Sequence, residues 1–309
     1  MNPLLVLVGP TAVGKTAAAI ELARRLDGEI VTADSVQVYI GMDIGSAKPD
    51  IRERAAAKHH MIDLVEPDVP YNVMLYKQAA VTVIDDIHAR GKLPILAGGT
   101  GLYVNSLVYP MEFNEASYDE DYRESLRRFS DEHGAEALHQ RLACVDAEAA
   151  ASIHPNNQKR VIRALEVHHL TGRPFSSFQT TYREQPPPYD LTMVGLTMPR
   201  SLLYERIEQR VEDMMAHNFL DEVATLLSKY PQDCHAFDSL GYRQLIAYME
   251  GDYSLPEAIQ QIKRETRRFA KRQFTWFNRD QRIRWYSVLN YRRIEDMIVD
   301  IIQMENIER

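Results

Sequence analysis

Cysteine is almost missing from these 309 residues; Cys144 and Cys234 are the two present. They are far apart in the chain. No disulfide framework and no paired-cysteine metal site is expected, and a reducing cytoplasm is the natural setting. Long apolar runs are missing too, so no bilayer-spanning segment is expected. The short apolar run from Pro3 to Val8 has neither the basic flank nor the cleavage site of a secretory leader, and it reads as a strand. There is no internal repeat and no low-complexity tract, which argues against a solenoid or a long linker. Positive charge is also in deficit: 36 Lys and Arg stand against 44 Asp and Glu, a net charge of −8. That balance does not exclude nucleic acid, because local patches decide binding. Lys263, Arg264, Arg267, Arg268, Lys271, Arg272, Arg279, Arg282 and Arg284 form a basic segment opposed by Glu265 and Asp280 alone. Much of the acidic excess falls between Glu112 and Glu148.

The chain is long enough for one large domain or two smaller ones. Up to about residue 110, short apolar runs alternate with helical patterns. Leu4–Val8, Glu29–Ala33 and Leu93–Ala97 read as buried strands, while Thr16–Leu26 and Leu75–Arg90 read as helices. Such alternation predicts an α/β fold, a parallel sheet with right-handed crossovers, in which ligands bind at the carboxyl ends of the strands. Those ends are Gly9, Asp34 and Gly98. The texture then turns helical and charged, with helices expected over Tyr118–Glu132, Ala135–Leu142 and Gln158–Leu170. Leu191–Thr197 returns to the sheet, and the rest is mostly amphipathic helix. The predicted organisation is a core of residues 1–112 and 188–309, interrupted by a helical insertion domain of residues 113–187.

Gly9-Pro10-Thr11-Ala12-Val13-Gly14-Lys15-Thr16 matches the phosphate-loop pattern, with a strand before it and a helix after it. Loop amides and the helix N-terminus point at one anion. Lys15 adds a point charge, and the Thr16 hydroxyl suits Mg²⁺. Nucleotide hydrolases of this type carry a metal-holding Asp at a later strand end. Here that end is Gly98-Gly99-Thr100, and Asp85 and Asp86 lie inside the preceding helix pattern. A ligand whose phosphates leave as a unit fits better than one split by water. Asp34, beyond the second strand, suits a general base, with a turn cap as its alternative role. Thr100 is a candidate hydrogen-bonding partner in the same crevice, or a helix cap.

Taken together, GPTAVGKT (9–16), DSVQVY (34–39), GMDIGSAKP (41–49), AGGTGLY (97–103) and HPNNQKRVIRALE (154–166) resemble the bacterial tRNA dimethylallyltransferases, or tRNA isopentenyltransferases. RIEQR (206–210), GYRQ (241–244) and AKRQFTWF (270–277) continue the match in family order. Ser46 stands where the family usually has Thr, which keeps the hydroxyl. The resemblance implies a P-loop NTPase-like core. It also implies transfer of the dimethylallyl group of dimethylallyl diphosphate to N6 of adenosine 37 in tRNA, with Mg²⁺ assisting and diphosphate released. Asp34 would be the base and Thr100 its partner. Residues Gly9 to Thr16, including Ala12 and Val13, would cradle the diphosphate, joined by Arg210 or its neighbour Arg206. Asp34, Ser35, Val36, Gln37 and Thr100 match the tRNA-contacting stretches, as do Arg123, Gln158, Lys159, Arg160, Val161 and Ile162. A cytoplasmic monomer with no obligate protein partner and no membrane attachment is expected.

The last long helix pattern should turn Ile259, Ile262, Thr266, Phe269, Ala270, Gln273 and Trp276 to the core, its aromatics serving as core rather than as stacking platforms. Arg264, Arg267, Arg268 and Lys271 fall on another face, suited to RNA phosphates. Two rival activities share parts of this pattern. An adenylate isopentenyltransferase would act on free AMP or ATP, but would not need the insertion with Arg123 and its basic helix. A small-molecule kinase would share the loop and a glycine run after a strand.

Overall fold

The computed structural model describes residues 1–111, 119–178 and 185–307. Tyr118, the expected start of the first insertion helix, lies outside them, as do the first expected insertion boundary at 112/113 and residues 179–184 on the approach to the second. Among the described residues, six strands form one sheet: β1 (Pro3–Val8), β2 (Gly28–Ala33), β3 (His59–His60), β4 (Leu93–Gly98), β5 (Asp190–Thr197) and β6 (Arg284–Ser287). The order is β3-β2-β4-β1-β5-β6, and every neighbouring pair is parallel. Parallel strands are covered on both faces, which is why their sequences read as unbroken apolar runs. In β1, Leu4, Val6 and Val8 on one face and Leu5 and Leu7 on the other are all buried. β3 and β6 have no such run, since they lie at the sheet edges. His59-His60 and Arg284-Trp285-Tyr286-Ser287 become strands only because a neighbouring backbone pairs with them.

Residues contacting one another divide the chain into two compact units, 1–108 with 187–309, and 109–186. In the first, α1 (Lys15–Arg25), α2 (Ile51–Ala56), α3 (Val73–Ala89) and α4 (Gly101–Val108) precede the break. The second unit holds α5 (Glu120–His133), α6 (Ala135–Val145), α7 (Ala147–Ser152) and α8 (Gln158–Thr171). Asp119 and Asp146 cap α5 and α7 through their carboxylates, and left-handed Gly172 closes α8. Leu126, Leu138, Leu142, Ala149, Val161 and Leu165 make that unit's own core. The first unit resumes with α9 (Arg200–Ala216), α10 (Phe219–Leu227), α11 (Tyr242–Met249), α12 (Leu255–Phe277) and α13 (Ile294–Met304). Leu22 of α1 and Ile298 and Ile301 of α13 share a core with Leu5, Leu7, Ile95 and Leu196 of the sheet. No helix among the described residues is long and apolar enough to cross a membrane.

The expected apolar stripe of α12 is corrected at its end. Ile262, Ala270 and Gln273 are buried, and Ile259, Thr266 and Phe269 are half-buried, but Trp276 is 36% exposed. Helical geometry explains the change: four residues after Gln273 the stripe is continued by Phe277, which is buried, and Trp276 turns off it. The basic face is also thinner than expected. Lys263 is buried against Glu212, and Arg267 turns to Glu208 of α9. Arg264, Arg268, Lys271, Arg272 and Arg279 are exposed.

At the amino end of β2, Glu29 is buried and accepts hydrogen bonds from both terminal nitrogens of Arg90, with His60 Nε2 2.7 Å away. The Arg90 hydrogen bonds, against the opposing effect of burial, lower its pKa from 4.5 to about 2. A depressed carboxylate contributes stability that is complete above the unfolded value and lost as pH falls through the folded one. Unfolding stability is therefore expected to drop between pH 4.5 and 2. Glu29→Gln should cost about 2 kcal/mol at pH 7 and flatten that acid limb, as measured by urea denaturation across pH.

Candidate active site

The strand register brings four chain segments level. Val8 of β1 and Ala33 of β2 both pair with Gly98 of β4, and Val8 also pairs with Gly195 of β5. The loops leaving β1, β2 and β4 therefore open at one end of the sheet. Close backbone approach is needed here, since a Cβ on Gly98 would lie 2.1 Å from the Ala33 carbonyl oxygen and one on Gly9 2.7 Å from that of Leu196. Gly9 and Gly14 also have φ of +148° and +105°, a region side chains disfavour.

The phosphate loop runs from Gly9 into α1. Lys15 donates from Nζ to the Pro10 carbonyl at 2.7 Å, and Arg210 of α9 donates to Thr11 Oγ1 at 3.2 Å. Burial first, and then the neighbouring Arg210 guanidinium, bring the Lys15 pKa down to about 7, with Asp34 opposing them. Arg210 too is lowered by burial and raised by Asp34. Two cations and one carboxylate thus share the half-buried end of the sheet. Arg206, one turn earlier, is exposed and makes no hydrogen bond or ion pair among the described residues. The α9 helix therefore turns Arg210, not Arg206, to the loop. Val13 is buried, while Pro10, Thr11, Ala12 and Thr16 shape the loop and its entry into α1.

Asp34 takes the turn-cap role that its position suggested, and one oxygen stays clear of that cap. Its Oδ1 accepts the N–H groups of Val36 at 2.9 Å and Gln37 at 3.3 Å, which caps the turn. Its Oδ2 accepts no hydrogen bond among the described residues. Thr100 reaches across from the end of β4: its N–H donates to the Ala33 carbonyl and its Oγ1 accepts the Ser35 N–H, both at 3.1 Å. Gln37 is turned away from solvent, with Nε2 donating to the Ser46 and Ala47 carbonyls, each at 3.1 Å. It helps to fix segment 41–49, which has neither helix nor strand. Buried Lys48 bonds the Tyr39 carbonyl, Asp43 and Asp63 there, and Glu222 of α10 accepts the N–H groups of Asp43, Ile44 and Gly45.

Gln273 is a site residue that periodicity had assigned simply to the core. It is 5% exposed; its Oε1 accepts the Thr11 N–H at 2.8 Å, and its Nε2 donates to the Gly99 carbonyl at 3.0 Å. One amide thus ties the phosphate loop to the β4 turn that carries Thr100. A polar residue at a core position of an amphipathic helix was the signal in the sequence, but its partners lie 262 and 174 residues away.

In the insertion unit, Arg123 of α5 is held in a two-pronged pair with fully buried Glu166 of α8, both bonds 2.7 Å. Arg163 also bonds Glu166 and is half-buried. The side chains of Val161 and Ile162 are buried in the unit's core, and the Val161 N–H bonds the Asn157 carbonyl. Gln158, Lys159 and Arg160 are exposed on the first turn of α8.

Two outcomes follow. Competitive acetylation of Lys15, read by mass spectrometry, should be half-maximal near pH 7, and inorganic diphosphate should move that midpoint upward; a midpoint in the ordinary lysine range would contradict the burial. Gln273→Leu strands a buried carbonyl and a loop N–H, and should cost about 2 kcal/mol in urea unfolding.

A profile of the IPP transferase family matches residues 37–280. The chain is 46% identical over 300 residues to the tRNA dimethylallyltransferase of Geobacillus thermodenitrificans (strain NG80-2), covering 97% of this chain and 95% of that one. The crystal structure of the full-length tRNA isopentenylpyrophosphate transferase from Bacillus halodurans superposes with a TM-score of 0.71 at 40% identity, covering 99% of this chain and 98% of that chain. A eukaryotic dimethylallyltransferase crystallised acting on tRNA gives a TM-score of 0.80 at 25% identity, covering all of this chain and 81% of that chain. In sequence along nearly its whole length, and in fold, the chain belongs to the IPP transferase family.

Proposed function

We propose that the chain transfers the dimethylallyl group of dimethylallyl diphosphate to N6 of adenosine 37 in tRNA. The observation that carries this reading is the Asp34 carboxylate, one oxygen held by two backbone N–H groups and the other open, facing the Lys15–Arg210 pair of the phosphate loop. The adenine N6 attacks C1 of the dimethylallyl group. The C1–O bond breaks, and its electrons leave with the diphosphate. The N6 proton passes to Asp34 Oδ2. Loop amides, Lys15 and Arg210 stabilise the charge that grows on the departing diphosphate, and this electrostatic preorganisation is the larger contribution to rate. Thr100 holds Ser35, and so the turn that aims Asp34.

The residues present fit Mg²⁺. The Thr16 hydroxyl has no protein partner among the described residues and lies on the first turn of the helix behind the loop, and a hydroxyl oxygen suits a hard cation. Thr16 would hold it, and the ion would neutralise diphosphate charge. Nothing of the kind converges elsewhere: no three His, Cys, Asp or Glu among the described residues group as a metal set. The kinase alternative lacks a carboxylate at the end of β4. The free-nucleotide alternative leaves exposed Gln158, Lys159 and Arg160 without a task. A reducing cytoplasm and a monomeric state accord with the same reading.

The test mixes the protein with labelled dimethylallyl diphosphate, Mg²⁺ and an unmodified anticodon stem-loop carrying A36-A37-A38, with AMP and ATP in parallel. Label should enter the stem-loop alone. Asp34→Ala should lower the transfer rate by about 10²–10⁴-fold while inorganic diphosphate still binds. Label on AMP or ATP instead would move the assignment to free-nucleotide prenylation.

A further inference from the structure

Trp276 occupies a place that the mechanism above leaves unused. Its ring rests on the backbone of Gly101: a Cβ there would lie 2.3 Å from indole Cδ1 and 2.4 Å from Nε1. The indole is therefore seated by shape, and its N–H makes no hydrogen bond among the described residues. Gly101 directly follows Thr100, whose hydroxyl holds the residue beside Asp34. One helical turn before Trp276, Gln273 ties Thr11 to Gly99. The part of α12 that braces the site thus carries a large aromatic ring at its rim, 36% exposed, while Phe277 takes the core position.

The surrounding charge is positive. Arg272, one turn earlier, and Arg279, just past the helix end, are exposed, as is Lys271, and none is in an ion pair among the described residues. The nearby carboxylate, Asp280, is engaged by Arg282. Arg272 lies over the Phe269 ring without an ion-pair partner among the described residues, and an accessible π-face flanked by exposed cations is the combination that single-stranded nucleic acid recognises, bases stacking on the ring and phosphates on the cations. Extruding a base from a loop also leaves its neighbours unstacked and in need of a new face.

We propose that Trp276 is a stacking platform for the anticodon-loop base next to the reacting adenosine. This rests on the tRNA-prenylation reading above. The platform contributes to RNA binding and not to the proton or diphosphate steps, so it acts on KM for the RNA and leaves kcat nearly alone.

The chain's other tryptophan, Trp285, packs over Gly195, so a full-length Trp285→Phe protein reports Trp276 alone. Adding the unmodified stem-loop should quench its emission and at least halve its acrylamide quenching constant, whereas inorganic diphosphate should do neither. Wild type and Trp276→Phe compared with both tryptophans otherwise in place should give the same difference, which covers any fault in the Trp285 variant. Trp276→Ala should raise KM for the stem-loop roughly tenfold with kcat changed less than threefold, and Trp276→Phe should recover most of the loss. A stem-loop that wild type prenylates while the indole stays equally open to acrylamide, or an unchanged KM in Trp276→Ala, overturns the platform and leaves the function standing. A wild type that never labels the stem-loop overturns the tRNA reading, and the platform with it.

Discussion

Everything at the candidate site depends on the register of three neighbouring strands. Val8, Ala33 and Gly98 end level because parallel pairing fixes them so, and a one-residue slip would put every buried side chain of β1 on the wrong face. The cost of slipping is the whole sheet core. The loops beyond those residues are therefore located by burial far larger than any contact they make themselves. The Gln273 amide then adjusts two of these loops to each other, and Arg210 and Lys15 are brought together at the level strand ends.

Much of this was legible in the residues. β1, β2 and β4 announce themselves as apolar runs closed by glycine or Asp, β5 as an apolar run that ends before Pro199, and the loop from Gly9 to Thr16 carries its own chemistry. Asp34 and Thr100 could be placed at strand ends from spacing alone, with their roles supplied by the family resemblance. Edge strands β3 and β6 were not legible, because their residues are polar or aromatic and pairing comes from outside the segment. The choice between Arg206 and Arg210 needed the rotation of α9 about its axis, and Gln273 needed partners far away in sequence.

Trp276 shows where periodicity reaches its limit. A stripe of apolar residues at helical spacing admits two continuations one residue apart, Trp276 and Phe277, and hydrophobicity cannot choose between them. Packing chooses: the tighter position takes the smaller ring, and the indole goes where a glycine backbone offers a flat seat. The insertion unit gives a similar lesson. Arg123 looks like a surface cation in sequence, yet it neutralises a fully buried carboxylate, so whatever it contributes at the surface is coupled to holding α5 against α8.

Segment 41–49 has neither a helix nor a strand ladder, yet Gln37, Lys48 and Glu222 secure its backbone from within. Irregular chain of this kind usually keeps many conformations until a partner selects one, and the ordering then weakens binding. Here the ordering happens when the protein folds. Any ligand that reaches this segment meets a template already cast, so discrimination there rests on fit at first encounter and not on how far the protein can bend.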